Sequence, residues 1–202
     1  MVREMDHAID NPGSLATEAS RDGNAGLVAQ VQKGDIQAFE KLVAANQEWL
    51  MRLICRLIDP PGEAEDVLQD VLVAVYQGLP EFRHEAEFAT WATTIAVNRC
   101  RKHRRRSARR KWLSAYLRRT RPAESPESGE GAIDDAEEVR LAVRELPEKY
   151  REPVALHYFE HLSMKDIASV LGLKTNTVEV RISRARQLLR TALTERTGGE
   201  QE

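Results

Sequence analysis

The sequence predicts an all-α fold of two small helical domains joined by a flexible linker, and three observations carry that prediction. Apolar residues recur at spacings of three and four from Leu27 onward. A stretch rich in Pro, Ser, Gly and acids, RPAESPESGEGAIDD, divides the chain and cannot bury enough apolar surface to fold alone. Beyond it, a second set of helical patterns ends in the spacing of a helix-turn-helix. With 42% apolar and only 5% aromatic residues, one large core is not expected. The expected division is a polar tail over 1–25, a first module over 26–112, a linker over 113–135, a second module over 136–195 and a short tail over 196–202.

The tail is polar and aperiodic, with Asn11-Pro12-Gly13 and Asp22-Gly23-Asn24 as breakers. Leu27, Val28 and Val31 then begin a helix that Gly34-Asp35 interrupts. Phe39, Leu42, Val43, Trp49, Leu50, Leu53, Ile54 and Leu57 form the stripe of a second helix, which should end before Asp59-Pro60-Pro61-Gly62. In EAEDVLQDVLVAVYQGLPEF, Val67, Val71 and Val75 make one stripe and Leu68, Leu72 and Leu79 widen it. Gly78 and Pro80 close that helix. Glu63, Asp66 and Asp70 share an acidic face with Gln69 beside it. The helix dipole accounts for acids in the first turns, contributing ~0.3–1 kcal/mol each, but Asp70 lies deeper, which suits a face that docks a protein partner.

The stretch from Phe88 to Lys111 changes character halfway. Phe88, Trp91, Ala92 and Ile95 can pack on one face, whereas the second half is almost entirely Arg and Lys. Such a helix anchors in a core and ends on a polyanion, with Trp91 or Asn98 available to a base; the plain alternative is a packed helix with a solvated basic end. The net charge of −2 conceals this sorting. Arg99 to Arg121 contains no Asp or Glu, and Glu124 to Glu138 contains no Lys or Arg.

In the second module, Val139, Leu141, Ala142 and Val143 lead to Leu146-Pro147, with Pro147 placed as a first-turn proline. The next helix should use Tyr150, Val154, Leu156 or His157, and Phe159 inward, and Pro153 should bend or loosen it. Ser163 followed by Asp166 resembles a capping box, Gly172 supplies the turn, and a longer helix begins near Thr175 or Asn176. Val178, Ile182, Ala185 and Leu189 then face inward, leaving Thr177, Val180, Arg181, Arg184 and Gln187 outside, with Arg186 and Lys174 toward the flanks. An exposed Arg on such a helix can reach guanine O6 and N7, a contact that contributes ~1–3 kcal/mol of discrimination. A structural helical hairpin shows the same apolar pattern, but without a reason for the exposed arginines.

Only Cys55 and Cys100 are present, with no CxxC and no His at zinc-ligand spacing, so neither a disulfide framework nor a metal is indicated. No run of about 18 apolar residues suggests a membrane span, and the first twenty residues lack the apolar centre of a signal peptide. The expected setting is the cytoplasm.

Four stretches in order, GDIQAFEKLV from Gly34, EDVLQDVLVAVYQGLPEFR from Glu65, FATWATTIAVNRCRKHRRR from Phe88 and LPEKYREPVALHYFEHLSMKDIASVLGLKTNTVEVRISRAR from Leu146, complete the picture. Their arrangement resembles the extracytoplasmic-function (ECF) sigma factors, compact members of the bacterial sigma-70 family, over nearly all of Leu27 to Leu193. The resemblance implies that the first bundle is sigma domain two, a four-helix bundle docking on the beta-prime clamp of core RNA polymerase through Asp66, Gln69, Asp70 and Val71. It implies that Phe88, Trp91 and Asn98 lie where the minus-ten element is melted, with Arg99, Arg101, Lys102, Arg104 and Arg105 along the strand. Sigma domain four would read the minus-thirty-five element through Lys174, Thr175, Asn176, Thr177, Glu179, Val180, Arg181, Arg184 and Arg186, and would touch the beta flap. Neither catalysis nor a cofactor is implied, and an anti-sigma factor becomes a candidate partner. Two departures stand out: Glu179 occupies a position where many relatives have Lys or Arg, and Lys174 replaces the usual small or capping residue. Two other readings make different predictions. A helix-turn-helix repressor with an N-terminal dimerisation or sensing bundle would form a homodimer on a palindrome, and an RNA-binding adaptor would use the basic stretch with no promoter role.

Overall fold

A computed structural model describes residues 18–117 and 135–198, which form eight α-helices and no strands among the described residues. Helix α1 (Glu18–Gln32) and α2 (Ile36–Leu57) are separated by Gly34, whose φ of +93° is a conformation that side chains disfavour. Asp35 caps α2, its carboxylate accepting from the Ala38 amide at 3.1 Å. After a 3-10 turn at Pro61–Glu63 come α3 (Ala64–Gly78), a second 3-10 turn at Leu79–Glu81, and α4 (Phe88–Leu117). These four helices are the expected bundle, with Leu53, Ile54, Leu57, Val71 and Val97 fully buried between them.

Two boundaries differ from the expected ones. Helix α1 begins eight residues before the predicted start of the module, because Asn24 is buried and pairs with Asn46 through both side-chain amides, at 3.2 and 2.9 Å. The Trp49 indole donates to the same Asn46 oxygen at 2.9 Å, so this network is satisfied inside the core. Helix α4 runs on to Leu117, five residues into the predicted linker. The rest of that linker, with the tails at 1–17 and 199–202, lies outside the described residues.

The second module comprises α5 (Asp135–Glu145), α6 (Glu148–Val154), α7 (Met164–Leu171) and α8 (Thr175–Gly198). Pro147 stands at the N-cap of α6, one residue before its expected place. Pro153 has no amide hydrogen to donate, and two residues on, after Val154, Ala155–Phe159 form a π-helical turn. The Glu160 amide bonds to Ala155 O at 3.3 Å and that of Leu162 to Leu156 O at 3.0 Å, satisfying carbonyls the wider turn would orphan.

The two modules pack together. Helix α2 meets α5 and the π turn, α4 meets α7, and the buried residues of both modules form one continuous cluster. The expectation against a shared core is therefore corrected. Separate patches too small to bury fully by themselves are covered by each other, at roughly 25 cal/mol per Å² of apolar surface removed from water.

Candidate nucleic-acid interface

Helix α3 turns its valines inward and its acids outward. Asp66, Gln69 and Asp70 are exposed. Val71, expected on the same docking face, is fully buried, since one residue further along a helix is turned by about 100°. It supports the face from beneath. The exposed row continues instead through Val73 and Tyr76, which are 54% and 48% exposed, and the Tyr76 ring meets Phe39 edge-on at 4.8 Å. Sequence reading assigned no role to this apolar end, although Asp66, Asp70, Val73 and Tyr76 follow each other at helical spacing. Across from the acids, Arg106, Arg109 and Arg110 of α4 form the other wall of a groove of about 620 Å³.

The start of α4 is an aromatic packing site. Phe88 is 7% exposed and Phe82 equally so; Trp91 lies on Phe82 at 4.8 Å and on Phe88 at 5.9 Å between centroids. Gly78 closes the far side, since a Cβ there would lie 3.0 Å from the Trp91 ring. Phe88 is thus too deep to meet a base itself, while half-buried Trp91 retains access from a pocket of about 300 Å³ that Arg83, Thr90 and Thr94 share. Further along, Asn98, Arg101, Lys102, Arg105, Arg106 and Arg109 line one open groove of about 370 Å³. Arg99 is half-buried.

The basic residues of α4 are not equivalent. Lys102, Arg105, Arg106 and Arg109 are exposed, but Arg101 and Arg104 reach across to α6. Arg101 grips the Glu152 carboxylate with two nitrogens, Nη2 at 2.6 Å and Nε at 3.0 and 3.1 Å. Arg104 donates to Glu152 at 2.5 Å, to Glu148 at 2.6 Å and to the Leu57 carbonyl at 2.5 Å. The bond Arg101 donates to Glu152 holds the Arg101 proton more firmly than usual, against the opposing effect of burial. A second cross-module pair joins Arg56 to buried Glu160 at 3.6 Å, with the Arg56 guanidinium 4.3 Å above the Phe159 ring. Burial also pushes the Cys100 thiol up to about 12, which keeps it protonated and unreactive.

The second module orients its last helix through three local devices. Ser163 caps α7, accepting from the Asp166 amide at 3.2 Å. Gly172 ends α7 at φ +67°. Lys174 is the N-cap of α8, its carbonyl receiving the amides of Thr177 and Val178 at 2.9 and 3.2 Å. Val178, Ile182, Ala185 and Leu189 are all buried, and Ala168 of α7 lies in the same core. Lys174, Thr175, Asn176, Glu179, Val180, Arg184 and Arg186 are exposed, with Thr177 and Arg181 half-buried beside them. Arg184 has a long contact to Gln187 at 3.5 Å, whereas Arg186 donates to the Tyr158 hydroxyl and lies 5.6 Å from that ring's centre.

Sequence reading missed Glu152, Glu160 and Arg56. Glu148 and Glu152 share one helix face at i, i+4, as Arg101 and Arg104 do at i, i+3, but no local pattern joins residues some fifty positions apart. Among the described residues no helix is long and apolar enough to cross a membrane.

The chain matches the family models for sigma-70 region 2 over residues 42–110 and for sigma-70 region 4 over residues 136–189. It is 35% identical over 182 residues to the RNA polymerase sigma-H factor of Pseudomonas aeruginosa, covering 83% of this chain and 92% of that one. It is 34% identical over 176 residues to the ECF RNA polymerase sigma-E factor of Escherichia coli K12, covering 81% and 90%. The fold is similar to that of the Bartonella quintana sigma factor RpoE, solved in complex with the anti-sigma factor NepR. There the TM-score is 0.64 and the identity 21%, over 79% of this chain and 98% of the other.

Proposed function

The chain belongs to the sigma-70 family, in its extracytoplasmic-function group, and from that premise we propose how its surfaces divide the work. As a sigma factor it directs RNA polymerase to promoters for transcription initiation. The region 2 match over the first module leaves the dimerisation bundle of a repressor without support.

Helix α3 docks on the beta-prime clamp of core polymerase through Asp66, Gln69 and Asp70, with Val73 and Tyr76 adding apolar contact at the end of the acidic row. The α4 groove tracks phosphates of the minus-ten strand through Lys102 and Arg105, and Asn98 and Trp91 meet bases drawn out of the duplex. Unstacking a base costs a few kcal/mol, which stacking and phosphate neutralisation offset, so opening is driven by binding rather than by chemistry. Helix α8 enters the major groove of the minus-thirty-five element with Thr175, Asn176, Val180 and Arg184 toward the bases and Lys174 toward phosphate, while the same module touches the beta flap. Exposed Glu179 can accept from a cytosine amino group. An anti-sigma factor is a candidate regulator, as the Bartonella protein has one, and the working compartment is the cytoplasm.

The observation that carries this reading is that one chain presents an open basic groove on α4, an exposed helix-turn-helix face on α8 and, apart from both, an exposed acidic row on α3. The test is transcription in vitro with purified core polymerase on genomic templates. Promoter-specific transcripts are expected only when the protein is added, and their absence would overturn the reading.

A further inference from the structure

We propose that Glu152 is an intramolecular stand-in for a DNA phosphate, occupying Arg101 and Arg104 in the free chain so that closure of the two modules and full engagement of nucleic acid by α4 exclude each other. The proposal rests on the reading of the α4 groove as a nucleic-acid surface. Arg101 is part of that groove, next to Lys102 and Arg105. Its guanidinium takes the Glu152 carboxylate in the forked, two-nitrogen geometry with which arginine also holds phosphate. Arg104 shares the same carboxylate and takes Glu148 as well. Two of the cations on this helix are therefore satisfied by acids of the other module.

The environment suits a contact that can be surrendered. Only 3% of the Glu152 side chain is exposed, so this charge needs its arginines as long as the modules are closed. Once they part, water hydrates all three groups, and a buried ion pair has little net advantage over that state. A phosphate arriving at the groove offers the arginines an equivalent anion while Glu152 regains its water. The second cross-module pair, Arg56 with Glu160 under the Arg56–Phe159 stack, shows the same arrangement of an acid of the second module against an arginine of the first. Closure thereby lowers the effective cationic charge of α4 without removing Lys102 or Arg105 from solvent, and weak encounter with DNA remains open.

The test uses the full chain without polymerase, a labelled mixed-sequence single-stranded oligonucleotide followed by anisotropy over a salt series, and small-angle scattering for the separation of the modules. Glu152→Gln is expected to bind about tenfold tighter, the gain that follows if the open form is about a tenth of the population. Its plot of log affinity against log salt should steepen by roughly 1.4, or about 0.7 for each of two regained phosphate contacts. Adding Arg101→Gln and Arg104→Gln to Glu152→Gln should abolish both gains. The wild-type chain, which needs no variant to fold, should expand when saturated with the oligonucleotide. Unchanged affinity and slope in Glu152→Gln, gains that survive loss of both arginines, or a saturated wild-type complex as compact as the free chain would each overturn the proposal. Lys102→Ala with Arg105→Ala in the Glu152→Gln chain probes the groove itself: weaker binding there supports it, and no loss removes both groove and proposal. Failure of promoter-specific transcription would instead remove the initiation role and leave these solution measurements standing.

Discussion

Helices α4 and α8 both carry arginines at helical spacing, yet they present them in opposite ways. On α8, Arg184 projects from the exposed face and, among the described residues, has a 3.5 Å contact to a neutral Gln187. On α4, Arg101 and Arg104 are spent on Glu152 and Glu148 of the other module, while Lys102 and Arg105 between and beside them remain exposed. Counted in the sequence, these cations are the same. The positive charge a helix carries and the charge it offers a ligand are thus separate quantities, the second set by what packs opposite.

The comparison breaks most readily at Arg101. Arg101→Ala should lower stability by about 1 kcal/mol in urea unfolding, because Arg104 still serves Glu152 and a chain whose open form is about a tenth of the population cannot lose more than about 1.4 kcal/mol with its clasp. A loss no larger than that of an exposed arginine would mean the two helices do not differ. Arg184→Ala is the mirror case. It should cost ~1–3 kcal/mol of discrimination among minus-thirty-five variants, read from transcript yields, while leaving the unfolding curve in place.

Glu160 gives a pH-dependent version of the same contrast. Burial pushes its carboxyl up to about 7, against the opposing pull of Arg56 and Arg52 on α2. Because that value in the folded chain lies above the ordinary carboxylate range, the stability Glu160 contributes is full at acid pH and is lost as pH rises through about 7. Between pH 6 and pH 8 the wild-type chain should therefore lose about 1 kcal/mol relative to Glu160→Gln, measured by unfolding at each pH. A parallel pair of pH profiles would show that Glu160 does not titrate there. The smallest effect belongs to Arg186, which lies against Tyr158 yet stays exposed. Arg186→Gln should move stability by no more than about 0.5–1 kcal/mol, as exposed cation–ring contacts do, and thermal melts would detect a larger value.

What the sequence displayed and what it concealed follow from the range of each signal. Helix stripes, the Gly34 and Gly172 breaks, the Ser163 cap and the loosening near Pro153 depend on neighbours within a turn or two, and each was legible there. The family resemblance places Val71 on the docking face, although its own spacing with Val67 and Val75 marks it as core. Asn24 was assigned to a tail because a polar residue near glycines reads as loop; its partner Asn46 lies 22 positions away on another helix. The clasp on Glu152 is more distant still, with Arg101 51 positions before it. Two acids on one helix and two arginines on another name no partner until the modules are packed.

The π turn after Pro153 has a consequence for which lengths of chain this junction tolerates. A π turn is an α-helix that accommodates one surplus residue, so removing one residue from Ala155–Phe159 would leave a segment able to continue as ordinary helix. One π turn of five residues sweeps about the same angle as four α-helical residues, so everything beyond the deletion would keep its orientation to α6, and Glu160 would still face Arg56 of α2. A one-residue deletion in the regular part of α6 has no such slack and would turn the residues after it by about 100° relative to α2. Among relatives of different length, this segment is where a one-residue gap would leave the relation between the two halves unchanged.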